Sequence, residues 1–251
     1  MPERLVVIPP TIFSPRSIEQ VPATRALLDG LRTTFQVEVF CWPYMKARPQ
    51  GTASWEGEAR DMERLFAEPC HVVSFGGTAG LALVAVSRSE CVKTFVLDGI
   101  FPPPETLRRL GDRSAAEAAE VTIRSSRAGL SQYVRYLTPG ATDGERAEFV
   151  RLLNQEINWE QEHEHAESYA RLDLTREVTK ISARTLCLQL PIPIAGYDEE
   201  ASILRRFAPE TRVEPLEPWG FNDAAAGDAL ARRILNFICE PGRSKTRVPP
   251  P

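Results

Sequence analysis

Histidine is the scarcest chemically useful residue in this chain: three in 251, at positions 71, 163 and 165, with none in the last third. A histidine base cannot therefore come from the C-terminal third. His163 and His165 stand two apart in a helical pattern, about 200° around the axis, so they cannot clamp one metal from a single face. No metal and no cofactor are expected. The five cysteines, at 41, 70, 91, 187 and 239, are scattered and form no C-x-x-C. That excludes a disulfide framework, and they read as reduced thiols, mostly buried as small hydrophobes. Long apolar runs are also missing: the longest, Leu81 to Val86, is far too short to cross a bilayer. Basic residues are not in excess, 30 against 34 acidic, and a net charge of −4 excludes a broad nucleic-acid footprint. Met-Pro-Glu-Arg leads straight into Leu5-Val-Val-Ile8 without the pattern of a secretory signal. The expectation is a cytoplasmic protein with no membrane or nucleic-acid partner.

What is present is alternation. Leu5–Ile8, Val37–Phe40, His71–Phe75, Val92–Leu97, Thr185–Leu190 and Arg212–Leu216 read as strands, the first closed by Pro9-Pro10 and the third by Gly76-Gly77. Helical spacing recurs between them: Ile18 to Leu31 with Ser17 as N-cap, Ala59 to Phe66, Gly80 to Val86, and Asp223 to Ile238. From Phe101 to about Lys180 the pattern is charged and helical, which is too long for a loop and suggests a cap over the strand ends. The fold class is α/β: a doubly wound, mostly parallel sheet with an inserted helical cap. The core spans 1–100 and 181–240, the cap 101–180, and 241–251 is a basic, proline-rich tail expected to be disordered.

Four segments, in this order and spacing, resemble the α/β-hydrolase superfamily. Cys70-His-Val-Val-Ser-Phe-Gly-Gly-Thr-Ala-Gly is similar to the nucleophile elbow, and Val92-Lys-Thr-Phe-Val-Leu-Asp-Gly to the strand after it. Leu172 to Leu188 resembles the return from cap to sheet, and Val213 to Phe221 with Ala231–Ile238 resembles the histidine loop and final helix. The resemblance implies a Ser-His-acid triad with the serine in G-x-S-x-G. Counting from both flanking strands puts Gly76 at the nucleophile position. A shift of two gives Gly76-Gly-Thr78-Ala-Gly80 with Thr78 as nucleophile, at the cost of a short following helix. The acid position meets Gln189-Leu-Pro-Ile-Pro-Ile194, with no carboxylate before Asp198, and the histidine position is Phe221. A hydroxyl without a positioned base is a poor nucleophile. All three positions depart together, so the resemblance implies a catalytically degenerate member.

The remaining candidates are few. Gly76 and Gly77 serve a tight strand-helix turn, or a backbone nest for a carboxylate or enolate oxygen. Asp98 ends the fourth strand, where some relatives keep an alternative acid, or caps a turn before Gly99. Thr11 and Phe13 stand where the family keeps its oxyanion loop. Phe75, Phe101, Trp159, Trp219 and Phe221 are aromatic residues expected near the cleft, Phe221 filling the vacated histidine position. The glutamates around His163 and His165 suggest a solvated face, with one histidine able to hang toward the pocket. The expected function is non-hydrolytic: an apolar small molecule, acyl chain or peptide held between sheet and cap, or an accessory role beside a partner enzyme in biosynthesis. The alternatives are a cyclase, isomerase or lyase using Asp98 and the Gly76-Gly77 nest, and a hydrolase with Thr78 as nucleophile.

Overall fold

The computed structural model describes residues 2–11, 13–46, 53–76, 79–99, 101–124, 126–137, 141–189, 204, 206–216 and 223–240. Among the described residues six strands form one parallel sheet: β1 (Arg4–Ile8), β2 (Gln36–Val39), β3 (Cys70–Phe75), β4 (Val92–Asp98), β5 (Arg184–Gln189) and β6 (Arg212–Pro215). Their order is β2-β1-β3-β4-β5-β6. The apolar runs Leu5–Ile8 and Cys70–Phe75 are buried along their length because they are central strands with both faces covered, whereas edge strands β2 and β6 are mostly half-buried or exposed. The chain steps outward from β1 to β2, then returns past β1 to β3. The switch point of the sheet therefore lies between the carboxyl ends of β1 and β3, where ligands of doubly wound folds bind. The α/β expectation holds.

The helices differ from expectation at two ends. Ser17 does not cap the first long helix. It is the third residue of a single-turn α1 (Pro15–Ile18), reciprocally capped with Ser14. The chain restarts as α2 (Pro22–Arg32) because Pro22 suits the first helical turn, where no N–H is required. Behind β2 and β3 follow α3 (Trp55–Leu65) and α4 (Ala79–Ser87); every residue of α4 up to Val86 is buried, as its unbroken apolar sequence demands. The segment 101–180 is helical: α5 (Pro104–Leu110), α6 (Arg113–Arg124), α7 (Ser126–Leu137), α8 (Asp143–Glu156), α9 (Trp159–Tyr169) and α10 (Leu174–Glu177). The run through Phe149, Leu153, Ile157 and Trp159 is two helices. It breaks at Ile157, which bridges Met45, and Asn158 caps α9. α11 (Ala224–Cys239) closes the fold, capped by Asp223. The tail 241–251 lies outside the described residues.

The inserted helices are not equivalent. Leu130, Val134, Leu153, Ile157, Tyr169, Leu172 and Leu174 belong to the main core, whereas Leu107, Ala115, Ala116 and Ala119 of α5 and α6 form a small cluster with Phe101 against it. All five cysteines are free thiols, Cys70 and Cys187 buried. Among the described residues no helix is long and apolar enough to cross a membrane.

Helices α2 and α11 pack at glycine contacts. A Cβ on Gly227 would overlap the Ala23 carbonyl, and one on Gly30 would stand 2.7 Å from Ala231 Cβ. Gly227→Ala should therefore push the helices apart and cost about 1–3 kcal/mol. Gly129→Ala on α7, where nothing stands within 4 Å, should be neutral or stabilising by up to about 1 kcal/mol. Urea midpoints of both variants check the pair.

Candidate functional site

The sharp turn after β3 falls on Gly76, whose φ of +70° is one that residues with a Cβ rarely adopt. The backbone reverses there from strand toward α4, directly over the switch point. A Cβ on Gly76 would lie 3.4 Å from Pro10, so the turn also packs against the loop after β1. No side chain projects from this position. The Gly76 N–H instead donates to Asp98 Oδ1 at 2.5 Å. Asp98 is opposite Phe75 in the β3–β4 register and only 6% exposed; the chain turns away at Gly99, φ +89°. Its carboxylate thus reaches across to the elbow backbone rather than only capping its own turn.

Neighbouring loops are tied together by aromatic side chains. Trp42 Nε1 donates to the Pro9 carbonyl at 3.1 Å, and Tyr44 Oη to the Thr11 carbonyl at 2.9 Å. Phe13 is fully buried with its ring centroid 5.8 Å from that of Phe149 on α8. Ser14 Oγ donates to Glu156 Oε2 at 2.5 Å, and the Asn158 and Lys46 N–H groups reach the Tyr44 and Glu156 carbonyls. The α8–α9 corner is thereby stapled onto the loops after β1 and β2.

Sequence reading missed the main feature of α9. Glu162, His165, Ser168 and Tyr169 recur at helical spacing, and all four are buried, while His163 is exposed. His165 Nδ1 lies 2.8 Å from Oε1 of Glu58 on α3, with side-chain exposures of 5% and 0%. Ser168 Oγ accepts the Trp55 N–H at 3.0 Å. Tyr169 Oη donates to the Phe101 carbonyl at 2.8 Å, and a Cβ on Gly80 would stand 2.7 Å from that oxygen. The ring centroids of Tyr44, Trp42 and Tyr169 lie 5.0, 5.9 and 6.0 Å from that of His165. The helical period of α9 carried the signal, but its glutamates masked it: Glu160 and Glu164 are exposed as expected, whereas Glu162 is buried on the same face as His165.

Burial opposes charge on His165, yet the charge of Glu58, its hydrogen bond and the charge of Glu162 outweigh it and hold the imidazolium above its ordinary range. Burial pushes the Tyr44 and Tyr169 hydroxyls well up, so both stay neutral donors. His71, beside Thr94 and Glu3 at the other end of β3, is pushed down by burial.

Of the sequence candidates, Gly76, Asp98, Thr11, Phe13 and the buried Phe75 lie at or beside the switch point. The partly buried Phe101 packs on the α5–α6 cluster, and its carbonyl accepts from Tyr169. Trp159 is half-buried and donates to Asn154, because α9 turns its other face inward. Gly77, Thr78, Trp219 and Phe221 lie outside the described residues, as do Leu190 to Asp198. No group of three metal-ligating side chains occurs among the described residues.

No family profile matches the chain, and no curated protein matches it in sequence. Solved structures do. The chain is similar to a bromoperoxidase from Bacillus anthracis, with TM-score 0.70 and 14% identity over 95% of this chain and 92% of that one. An esterase from Exiguobacterium antarcticum matches with TM-score 0.70 and 14% identity over 95% and 93%. An alpha/beta hydrolase enzyme from a Medee basin deep-sea metagenome library matches with TM-score 0.64 and 11% identity over 94% and 89%. The fold is the α/β-hydrolase fold.

The Glu58–His165 pair makes stability pH-dependent in a stated direction. A raised imidazolium contributes fully below the unfolded value, about 6.5, and loses that contribution as pH rises through the folded value. His71, depressed by burial, acts in the opposite window: its contribution is present above about 6.5 and lost as pH falls below it. The wild type should therefore lose stability from neutral toward alkaline pH. His165→Asn, which strands Glu58 and Glu162 without their cation, should cost about 3–5 kcal/mol at pH 6 and flatten that limb. Denaturant titrations from pH 5 to 9 read both effects.

Proposed function

We propose that this chain is a non-hydrolytic α/β-hydrolase-fold protein that holds an apolar small molecule, acyl chain or peptide between the sheet and the inserted helices, in an accessory or biosynthetic role. The observation that carries the reading is Gly76: the sharp turn where a nucleophile would project has no side chain, and its N–H is taken by Asp98. Covalent acyl transfer needs an activated hydroxyl or thiol at that point. The positive φ at Gly76 also favours the register that makes it the elbow residue over the one that uses Thr78. Solved structures of similar fold include an esterase, but at 14% identity the likeness carries the backbone and not the chemistry.

A second reading, a cyclase, isomerase or lyase, draws support from Asp98, a buried carboxylate at the switch point. Its backbone nest is weakened because the Gly76 N–H is already engaged.

The test pairs turnover with binding. Neither p-nitrophenyl acetate nor p-nitrophenyl octanoate should be hydrolysed above buffer, while cis-parinaric acid should bind saturably, more weakly in Phe221→Ala. Ester turnover abolished by Thr78→Ala would replace this reading with the hydrolase.

A further inference from the structure

Glu58 and His165 have no part in ligand holding as described, and their arrangement suits proton transfer. The carboxylate sits on Nδ1, and among the described residues no hydrogen bond reaches Nε2. That is the order a base requires: one nitrogen oriented by an acid, the other left to a substrate. Flat walls enclose the ring, Tyr169 nearly parallel at 18° and Trp42 and Tyr44 tilted. Their polar tips reach the carbonyls of Pro9, Thr11 and Phe101, in the loops leaving β1 and β4 on either side of the elbow. The pair thus stands over the strand ends and not in a remote part of the core.

Stability does not account for it. A buried ion pair at best balances its own desolvation, and an apolar pair of similar volume serves as well. Here a second buried carboxylate, Glu162, lies one turn from His165, which adds to the desolvation. A buried, charge-coupled pair of titratable groups over the strand ends is a candidate functional site.

We propose that Glu58 and His165 form an acid–base dyad acting on the ligand held between sheet and inserted helices, with His165 Nε2 moving a proton on a flat, largely apolar carbon acid. The proposal rests on the ligand-holding reading. The Nε2 lone pair takes the proton, the C–H electron pair passes into the substrate, and the proton returns from the imidazolium to another substrate atom. The product is an isomer, or an elimination product where a bond to a leaving group breaks. No oxidant, reductant or covalent intermediate is involved. Glu58 from α3 and Glu162 from α9 face the imidazolium as charges; Tyr169 from α9 and Tyr44 and Trp42 from the loop after β2 face it as neutral rings.

The probe is 5-nitrobenzisoxazole, whose C3–H loses a proton to a base as the N–O bond breaks and a coloured cyanonitrophenolate leaves. The full chain should accelerate this ring opening by about 10²-fold or more over buffer. The rate should rise with pH through one inflection above the ordinary histidine value of about 6.5. His165→Gln should fall to the buffer rate, whereas Glu58→Gln should keep part of the rate and move the inflection down. A purely structural pair would leave no such inflection to move. If His165→Gln does not fold, the wild-type His165 C2–H resonance, assigned by elimination with His71→Gln and His163→Gln, must titrate with the rate; a mismatch overturns the dyad. Quenching of tryptophan fluorescence by the probe reports binding separately. Saturable quenching with a buffer-level rate overturns the dyad and leaves the ligand-holding reading intact, and loss of both overturns both.

Discussion

The turn at Gly76 is the constraint on which the rest of the site depends. Strand β3 must reverse into α4 within a few residues, beneath the loop after β1, and Pro10 stands 3.4 Å from where a Cβ would be. A left-handed backbone meets that geometry without strain only when the residue is glycine. Gly76 adds no side chain there, and its amide donates to Asp98 from the adjacent strand. Gly76 is half-buried, and this bond ties the turn to β4 through the Asp98 carboxylate. At Gly76 the turn is thus tied to the neighbouring strand by a backbone-to-acid contact.

Around that apex the inserted helices divide the work. α5 and α6 hold a small cluster of their own, whereas α8 and α9 are bound into the main core through Ile157, Asn158, Ser14 and Glu156. The polar face of α9 is satisfied by groups from every side: Glu58 from α3, the Trp55 amide, and the Phe101 carbonyl. Buried polar groups so connected specify one arrangement of helix on sheet, since sliding α9 by a turn would strand all of them at once. The same connection makes the switch-point region sensitive to the charge on one imidazole.

Much of the fold was legible because its signals are local. Leu5–Ile8, His71–Phe75 and Val92–Leu97 are short apolar runs closed by proline, glycine or aspartate, and each proved a central strand to within a residue or two. Gly76 could be placed at the turn by counting from the strands on either side. Asp98 could be placed at the end of β4, but not its bond to the Gly76 amide, which depends on register across two strands. The break at Ile157 was hidden because an apolar residue fits a helical stripe as well as a bridge to Met45. Glu58 and His165 were beyond reach: 107 residues separate them, and each looks locally like part of a charged, solvated helix. Only the packing of α9 on α3 reveals that both faces point inward.

The central claim is that the elbow carries no reactive side chain. Intact-mass spectrometry of the full chain after incubation with a fluorophosphonate reads it directly. The account predicts an unchanged mass at every pH from 6 to 9. A shift by one phosphonyl group, traced by peptide mapping to any residue between Phe75 and Gly80, would contradict it.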